Sequence, residues 1–326
     1  MPVNQNAIDP ALVTRFNRDL SALDPDCKRL GVAVSGGPDS MALLLLASTA
    51  RPGDVEAATV DHRLRLESAA EARMVRELCA ELAVRHETLE VEVPSAGNLQ
   101  AAARAVRYEA LGDWMRIRGL AAIATAHHLD DQAETLLMRL NRGSGVSGLA
   151  GVRASGLLPT EDGGRLIRPL LAWRRIELQA ICAAAGIRPV EDSSNRDPRF
   201  DRVRLRQALK SSDMLDPEAV ARSAAHLAEA EEALEWATHQ EWLKRVRYTA
   251  DRVRYRPARD TPREIRRRVL VDALLFLDDS IADDPPRGRE VVHLLSVLEG
   301  GGTATLRGAV CRGGSEWQFE RAPPRR

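Results

Sequence analysis

Four short apolar runs, at residues 30–34, 55–60, 86–93 and 120–124, alternate along the chain with helix-type segments at 38–50, 68–84, 98–118 and 130–141. Runs of that length with β-type residues are strand signals, and the third alternates Leu89, Val91 and Val93 against Glu90 and Glu92 as a half-buried strand does. Strands separated by helices of this length specify βαβ units, and short right-handed crossovers wind them into a parallel sheet covered on both faces. The expected fold is therefore a doubly wound α/β domain. Two boundary signals support it. Asp9-Pro10 opens a helix carrying Leu12, Phe16 and Leu20 at helical spacing, and Ser68-Ala69-Ala70-Glu71 is a capping box.

After Asn141 the pattern changes. Residues 142–170 read as a glycine-rich loop, 172–185 as a helix and 191–201 as a polar loop. Asp216-Pro217-Glu218 starts a long helix to about residue 246, and 247–256 reads as a hairpin. Thr261-Pro262-Arg263-Glu264 combines a capping box with Pro at the first helical position. Alternating stretches at 303–311 and 316–321 around Gly313-Gly314 predict a terminal hairpin, and the last four residues are expected to be disordered. At 326 residues the chain suits two domains. The boundary is placed near 212, giving a doubly wound domain at 1–212 and a smaller, mostly helical one at 213–326.

Composition narrows the function classes. The longest apolar run, 41–47, is too short to span a bilayer, and residues 1–10 lack the basic and apolar regions of a secretory signal. Cysteines stand at 27, 79, 182 and 311, too far apart for a local zinc or C-x-x-C redox pair. Reduced thiols and a cytoplasmic location are expected, with no membrane and no protein partner implied. The formal net charge is zero, which excludes a uniformly basic nucleic-acid coat. That zero is an average: 213–241 holds eight acids against Arg222, whereas 244–268 holds eleven bases against three acids. A basic hairpin and helix start of this kind could neutralise several RNA phosphates, with Arg266 and Arg267 among the candidates. The alternative is that these arginines pair with the preceding acidic helix.

Ser35-Gly36-Gly37-Pro38-Asp39-Ser40 lies between the first strand and the first crossover helix, where an open parallel sheet binds nucleotides. The glycines let the backbone approach an anion. Free N–H groups at the helix start hold phosphate oxygens, and Ser35 and Ser40 add hydroxyl donors. Pro38 suits the first helical position. A carboxylate beside phosphates is repulsive unless it holds a cation, so Asp39 implies Mg²⁺. The loop is neither G-x-x-x-x-G-K-[ST] nor G-x-G-x-x-G.

A second constellation, His127-His128-Leu129-Asp130-Asp131-Gln132-Ala133-Glu134-Thr135, sits where the fourth strand runs into the fourth helix. Asp130, Asp131 and Glu134 can share a helix face. Carboxylates at a helix start also cap it, a plain role that suits Asp130 better than the whole set. Two histidines and three acids at the ligand edge of the sheet point to a cation or a cationic substrate. Asp61 and His62 end the second strand, a place for ribose or adenine contacts or simply a surface strand end. Arg104 and Arg107 are spaced to converge on a phosphate, or to lie on a solvated helix face.

The S-G-G-x-D-S loop resembles that of the PP-loop ATP pyrophosphatases. With the H-H-x-D-D-Q-A-E-T string, Val60-Asp61-His62-Arg63-Leu64-Arg65, Arg104 to Tyr108, Arg142-Gly143-Ser144-Gly145, Arg168-Pro169-Leu170-Leu171 and Glu191-Asp192-Ser193-Ser194-Asn195, most of 28–210 resembles the tRNA(Ile)-lysidine synthetases. The family's R-N-x-[IL]-R pattern is matched by Arg202, Leu205 and Arg206, with Val203 in place of asparagine. The resemblance implies ATP and Mg²⁺ as cofactors, free L-lysine, and an isoleucine tRNA with a CAU anticodon. The wobble cytidine would be adenylated with release of PPi, and lysine would then displace AMP to form lysidine. In that reading Ser35 to Ser40, Asp61 and His62 bind ATP, and Asp39 holds the metal. His127, Asp130, Asp131, Glu134 and Arg104 receive lysine and cytidine, while Asp39, Arg107, Asp131 and Glu134 serve the chemistry. Arg142, Arg202, Arg206, Arg266 and Arg267 contact the tRNA, and Glu191, Asp192 and Asn195 either hold the lysine ammonium or cap a turn. The competing readings are a sulfur-transferring relative, which needs paired cysteines, and a non-catalytic ATP- or RNA-binding module.

Overall fold

A computed structural model of the chain describes residues 3–26, 29–63, 68–94, 99–189, 201–211, 214–278, 281 and 286–322. They form two compact units, Met1–Ala228 and Glu229–Arg326.

In the first unit, α1 (Pro10–Leu23) precedes β1 (Leu30–Ala33), α2 (Pro38–Ala50), β2 (Val55–Asp61), α3 (Ser68–Glu81), β3 (Arg85–Glu90), α4 (Leu99–Arg118), β4 (Ala122–Ala124) and α5 (Leu129–Asn141). These follow the expected alternation. Asp9 caps α1, its Oδ1 accepting from Ala11 N at 2.8 Å. Next come α6 (Val146–Leu149), β5 (Ser155–Leu157), β6 (Arg165–Ile167), α7 (Arg175–Ala184) and α8 (Asp201–Ser211). The sheet order is β3-β2-β1-β4-β6-β5, with β1 to β4 and β6 parallel and β5 antiparallel at the edge. The hairpin β5–β6 corrects the reading of 142–170 as loop. Its strands are three residues each and depend on the neighbouring β4 rather than on local pattern.

Alternation along β1 sorts its side chains between two layers. Leu30 and Val32 join the cluster built by α1, α2, α3 and α7, while Ala33 joins the one under α4. Gly31 also faces α4, and a Cβ there would meet Ile123, Trp114 and Leu120 side chains within 2.9 Å. Helix α2 is buried on all sides from Ser40 to Ser48, as an uninterrupted apolar helix must be.

Helix α9 (Pro217–Arg245) begins in the first unit and ends in the second. Asp216 starts it, accepting from Glu218 N at 2.9 Å and Ala219 N at 3.1 Å. Beyond it lie β7 (Val246–Thr249), β8 (Arg252–Tyr255), α10 (Arg263–Leu277), α11 (Gly288–Glu299), β9 (Thr303–Leu306), β10 (Ala309–Arg312) and β11 (Trp317–Arg321). The two expected hairpin regions join into one antiparallel sheet, β7-β8-β11-β10-β9. It packs on α10 and α11 around Tyr255 and Trp317, whose rings meet edge to face at 5.4 Å. The expected capping box at Thr261 is not formed, because the Thr261 hydroxyl donates to Glu241 at 3.0 Å and Glu264 takes Arg267 and Arg268. Residues 191–195 and 323–326 lie outside the described residues. Among the described residues no helix is long and apolar enough to cross a membrane.

Candidate active site

Strand order reverses between β1 and β4, and the loops leaving their carboxyl ends meet there, which is where open α/β sheets place ligands. The loop after β1 enters α2 with Gly36 at φ +80 and Gly37 as N-cap, with no side chain capping the first turn. The first-turn amides are therefore available to an anion. Ser40 shapes the loop from inside, accepting from Ser35 N at 3.1 Å and donating to Gly37 O at 3.0 Å.

Ser35, Gly37, Asp39 and Ser40 line a cavity of about 180 Å³ with Arg107, Thr125, His127, Asp131 and Arg202. That is below the roughly 300 Å³ of a pocket enclosing a whole small molecule, and Arg202 on α8 supplies one wall. Asp39 Oδ1 is buried with no hydrogen-bond partner. An orphaned carboxylate oxygen beside a phosphate cradle fits a divalent cation held by one protein carboxylate and by substrate phosphates. Its Oδ2 lies 3.5 Å from His128 Nε2, and Arg175 Nε lies 3.8 Å from Oδ1.

The α5 start is more divided in purpose than its sequence suggests. His128 is buried at its N-cap, its backbone N donating to Asp131 Oδ2 at 3.1 Å. Burial disfavours a charge on His128, but the Asp39 contact and the Asp131, Asp39 and Asp130 carboxylates outweigh it and raise its basicity. His127 faces the cavity, its Nδ1 within 3.0 Å of Thr125 Oγ1. Burial, against the opposing Asp131 charge and with help from Arg168, Arg107 and Arg202, pushes His127 down to about 4, so it is neutral at pH 7.

Asp130 turns away from the cavity. It accepts from Arg175 N at 2.8 Å and pairs with Arg174 at 3.4 Å, anchoring α7. Gln132 clamps the following loop through Val152 N and O at 2.6 and 2.7 Å. Glu134 is 2% exposed and fully engaged: Arg202 Nε and Arg206 Nε each donate at 2.6 Å to its two oxygens. Arg202 also reaches Asp131 Oδ1 at 2.6 Å.

The structure thus places Arg202 and Arg206 on carboxylates rather than on an open RNA-facing surface. Val203 is their buried neighbour on α8, where the family pattern has asparagine. Asp61 holds its own turn, accepting from Arg63 N at 2.9 Å and from the Ser68 hydroxyl. His62 is half-buried, its Nδ1 without a partner, and burial lowers its basicity. Arg104 is exposed and Arg107 half-buried, both over the Tyr108 ring at 4.9 and 5.9 Å. Arg142 is exposed at the α5 C-cap, 3.9 Å from Asp201.

In the second unit Arg266 pairs with Glu299 at 3.1 Å and Arg267 with Glu264 at 2.7 Å. Their engagement with acids goes against their reading as free phosphate contacts. On the outer face of the sheet, Arg247 and Arg254 have no carboxylate partner among the described residues, whereas Arg312 pairs with Glu320 at 3.0 Å. The sheet register sets Arg247 opposite Arg254, Arg254 opposite Gln318, and Gln318 opposite Arg312.

A PP-loop domain model matches residues 12–212. The tRNA(Ile)-lysidine synthase of Novosphingobium aromaticivorans is 47% identical over 96% of this chain and 94% of its own length. The chain belongs to the tRNA(Ile)-lysidine synthase family. The Zymomonas mobilis synthase is 39% identical over 95% of this chain and 94% of its own, and that of Ruegeria pomeroyi 41% identical over 93% and 72%. A solved structure of the U34-tRNA thiolase NcsA from Methanococcus maripaludis shares the fold, with a TM-score of 0.53 and 14% identity over 67% of this chain and 78% of that one. Within the first unit, Arg175, which faces Asp39, belongs to no motif of the sequence, and the buried Arg168 stands in the Arg168-Pro169-Leu170-Leu171 motif with no role assigned to it there.

Proposed function

We propose that this chain converts the wobble cytidine of an isoleucine tRNA with a CAU anticodon to lysidine, using ATP, Mg²⁺ and free L-lysine. The observation that carries the reading is the shared cavity, in which the phosphate loop and Asp39 from one side meet His127 and Asp131 from the other. The cytidine C2 oxygen would attack the α-phosphorus, and PPi would leave into the backbone N–H groups of Gly37, Asp39 and Ser40. Lysine would then attack C2 as a neutral amine, AMP would leave with the C2 oxygen, and the amine proton would pass to a nearby base. Mg²⁺ would be held by Asp39 and the nucleotide's phosphates, where it neutralises charge on the departing PPi.

The geometry redistributes the roles. Glu134 is a positioning residue that fixes α8, whereas His127 and Asp131 are the groups facing the substrate. Arg107 faces the same cavity with a charge suited to phosphate. Residues 1–212 would carry the chemistry and 213–326 would contact tRNA. In the second part the Arg247 and Arg254 pair suits the RNA backbone better than Arg266 and Arg267, and Arg142 is a further exposed candidate. A sulfur-transfer reading is disfavoured because Cys79, Cys182 and Cys311 are buried and burial pushes their thiols up to about 12.

The deciding experiment measures PPi release and the mass of the tRNA product. Multiple-turnover release that requires both lysine and the tRNA, with the mass gain of a lysine residue, is expected. Multiple-turnover release without lysine dependence, or a tRNA product without that mass gain, overturns the proposal.

A further inference from the structure

Tyr108 is fully buried, and three guanidinium groups converge on it. Arg104 and Arg107 lie over its ring, and Arg168 hydrogen-bonds to it from just beyond β6. Arg168 is only 9% exposed; its Nη1 donates to Arg153 O at 2.7 Å, and its buried Nε has no partner.

No carboxylate pairs with Arg104, Arg107 or Arg168 among the described residues, although nearly every other arginine near the site has one. Buried acids and lysines without partners can shed their charge, but arginine cannot. The charges of buried Arg168 and half-buried Arg107 are therefore without a counter-charge until something anionic arrives, and exposed Arg104 adds a third cation beside them. Burial, opposed by the Tyr108 phenol but by no carboxylate, lowers the basicity of both Arg107 and Arg168, which agrees with that reading. The planar, multiply donating guanidinium groups match the oxygens of a phosphate ester. Arg107 joins the cluster to the cavity of the phosphate loop, while the loop's own amides supply a separate phosphate cradle.

We propose that Arg168, together with Arg104 and Arg107, forms an anion subsite around Tyr108, apart from the phosphate loop, that takes a phosphate-ester group of a substrate. The inference rests on the site handling phosphate esters but not on the identity of the product. Two sources share this chemistry: a phosphodiester of RNA beside the reacting nucleotide, and a phosphate of the nucleotide cosubstrate.

Equilibrium binding to the full chain separates them, using the unmodified isoleucine tRNA in one arm and a non-hydrolysable ATP analogue with Mg²⁺ in the other. Arg168→Gln is expected to weaken one of the two by about tenfold or more, the loss of a charge-assisted hydrogen bond. Arg168→Lys should restore part of it. A loss in the RNA arm, with the salt slope reduced by about one, assigns the subsite to a phosphodiester. A loss in the nucleotide arm assigns it to the cosubstrate.

Arg104→Gln is the companion variant, because Arg104 is exposed and its loss does not threaten folding. It should weaken the same arm by a smaller factor. Unchanged binding in both arms for folded Arg168→Gln, or for Arg104→Gln if Arg168→Gln does not fold, overturns the proposal. Binding is read without lysine, so failure to form lysidine would sink the functional reading and leave this result standing.

Discussion

Arg202 donates to Glu134 and to Asp131 at 2.6 Å each, so one guanidinium ties α8 to two of the three acids near the α5 start. A carboxylate held this way orders the cavity wall and has no oxygen free to meet a substrate, since both Glu134 oxygens are already occupied.

Glu134→Gln should therefore loosen α8 more than it changes the chemistry. Removing one partner of a buried pair costs about 3–5 kcal/mol, and the partial exposure of Arg202 lowers that to about 2 kcal/mol. Denaturant unfolding checks the stability loss. Protease cleavage near residue 201 should rise in parallel, and unchanged stability would refute the positioning role.

Asp39→Asn should cut PPi release by about a hundredfold or more, because the orphaned oxygen beside the phosphate loop loses its charge. The deficit should shrink as Mg²⁺ is raised, which a titration of PPi release against Mg²⁺ reads directly.

Acid should destabilise the first unit through two histidines. Burial lowers both His86 and His127 to about 4, against 6.5 in the unfolded chain. The unfolded state then binds more protons between those values. The stability is fully present above pH 6.5 and is lost as pH falls toward 4. His86→Gln should flatten that part of the stability–pH curve, since His86 contacts Thr59 outside the site. A curve of unaltered slope would contradict this.

Replacing Arg247 and Arg254 together with Gln should weaken RNA binding and lower its salt slope by up to about two. Like charges set directly opposite across a strand pair repel, so the same change should leave stability equal or higher. Arg266→Ala and Arg267→Ala should act in the reverse sense, costing stability through Glu299 and Glu264 with little change in the salt slope.

Gly31→Ala should destabilise by about 1–3 kcal/mol, because a methyl there meets three core side chains closer than carbon atoms pack. Thermal unfolding tests it, and the phosphate loop four residues on should report the strain as weaker nucleotide binding.

The alternation that opens the chain carried the parallel sheet from β1 to β4, because long helices of clear period bracket each apolar run, down to the three-residue β4. β5 and β6 were hidden, since three-residue strands draw their pairing from β4. Helix α8 was hidden because, apart from buried Val203, it is held by arginines rather than by an apolar face. Within the site, the phosphate loop could be read from glycine chemistry and position. The division of labour along His127 to Glu134 could not. Spacing puts Asp130, Asp131 and Glu134 near one another, but only packing decides that Asp130 turns to α7, Glu134 to α8 and Asp131 to the cavity. Arg168 stood in a quoted motif, but its role was hidden for the same reason: its solitude is a property of what surrounds it.

The middle of the sheet has a consequence for birth order. Strand β1 is flanked by β2, which follows at once, and by β4, whose Ala122 pairs with Leu30 only after three helices have been made. A chain emerging from the ribosome must carry the greasy α2 and one bare edge of β1 until β4 arrives. Because the cavity lies across the β1–β4 seam, the step that covers this edge also begins the candidate pocket, and α8 with Arg202 completes its wall only when the rest of the unit has emerged.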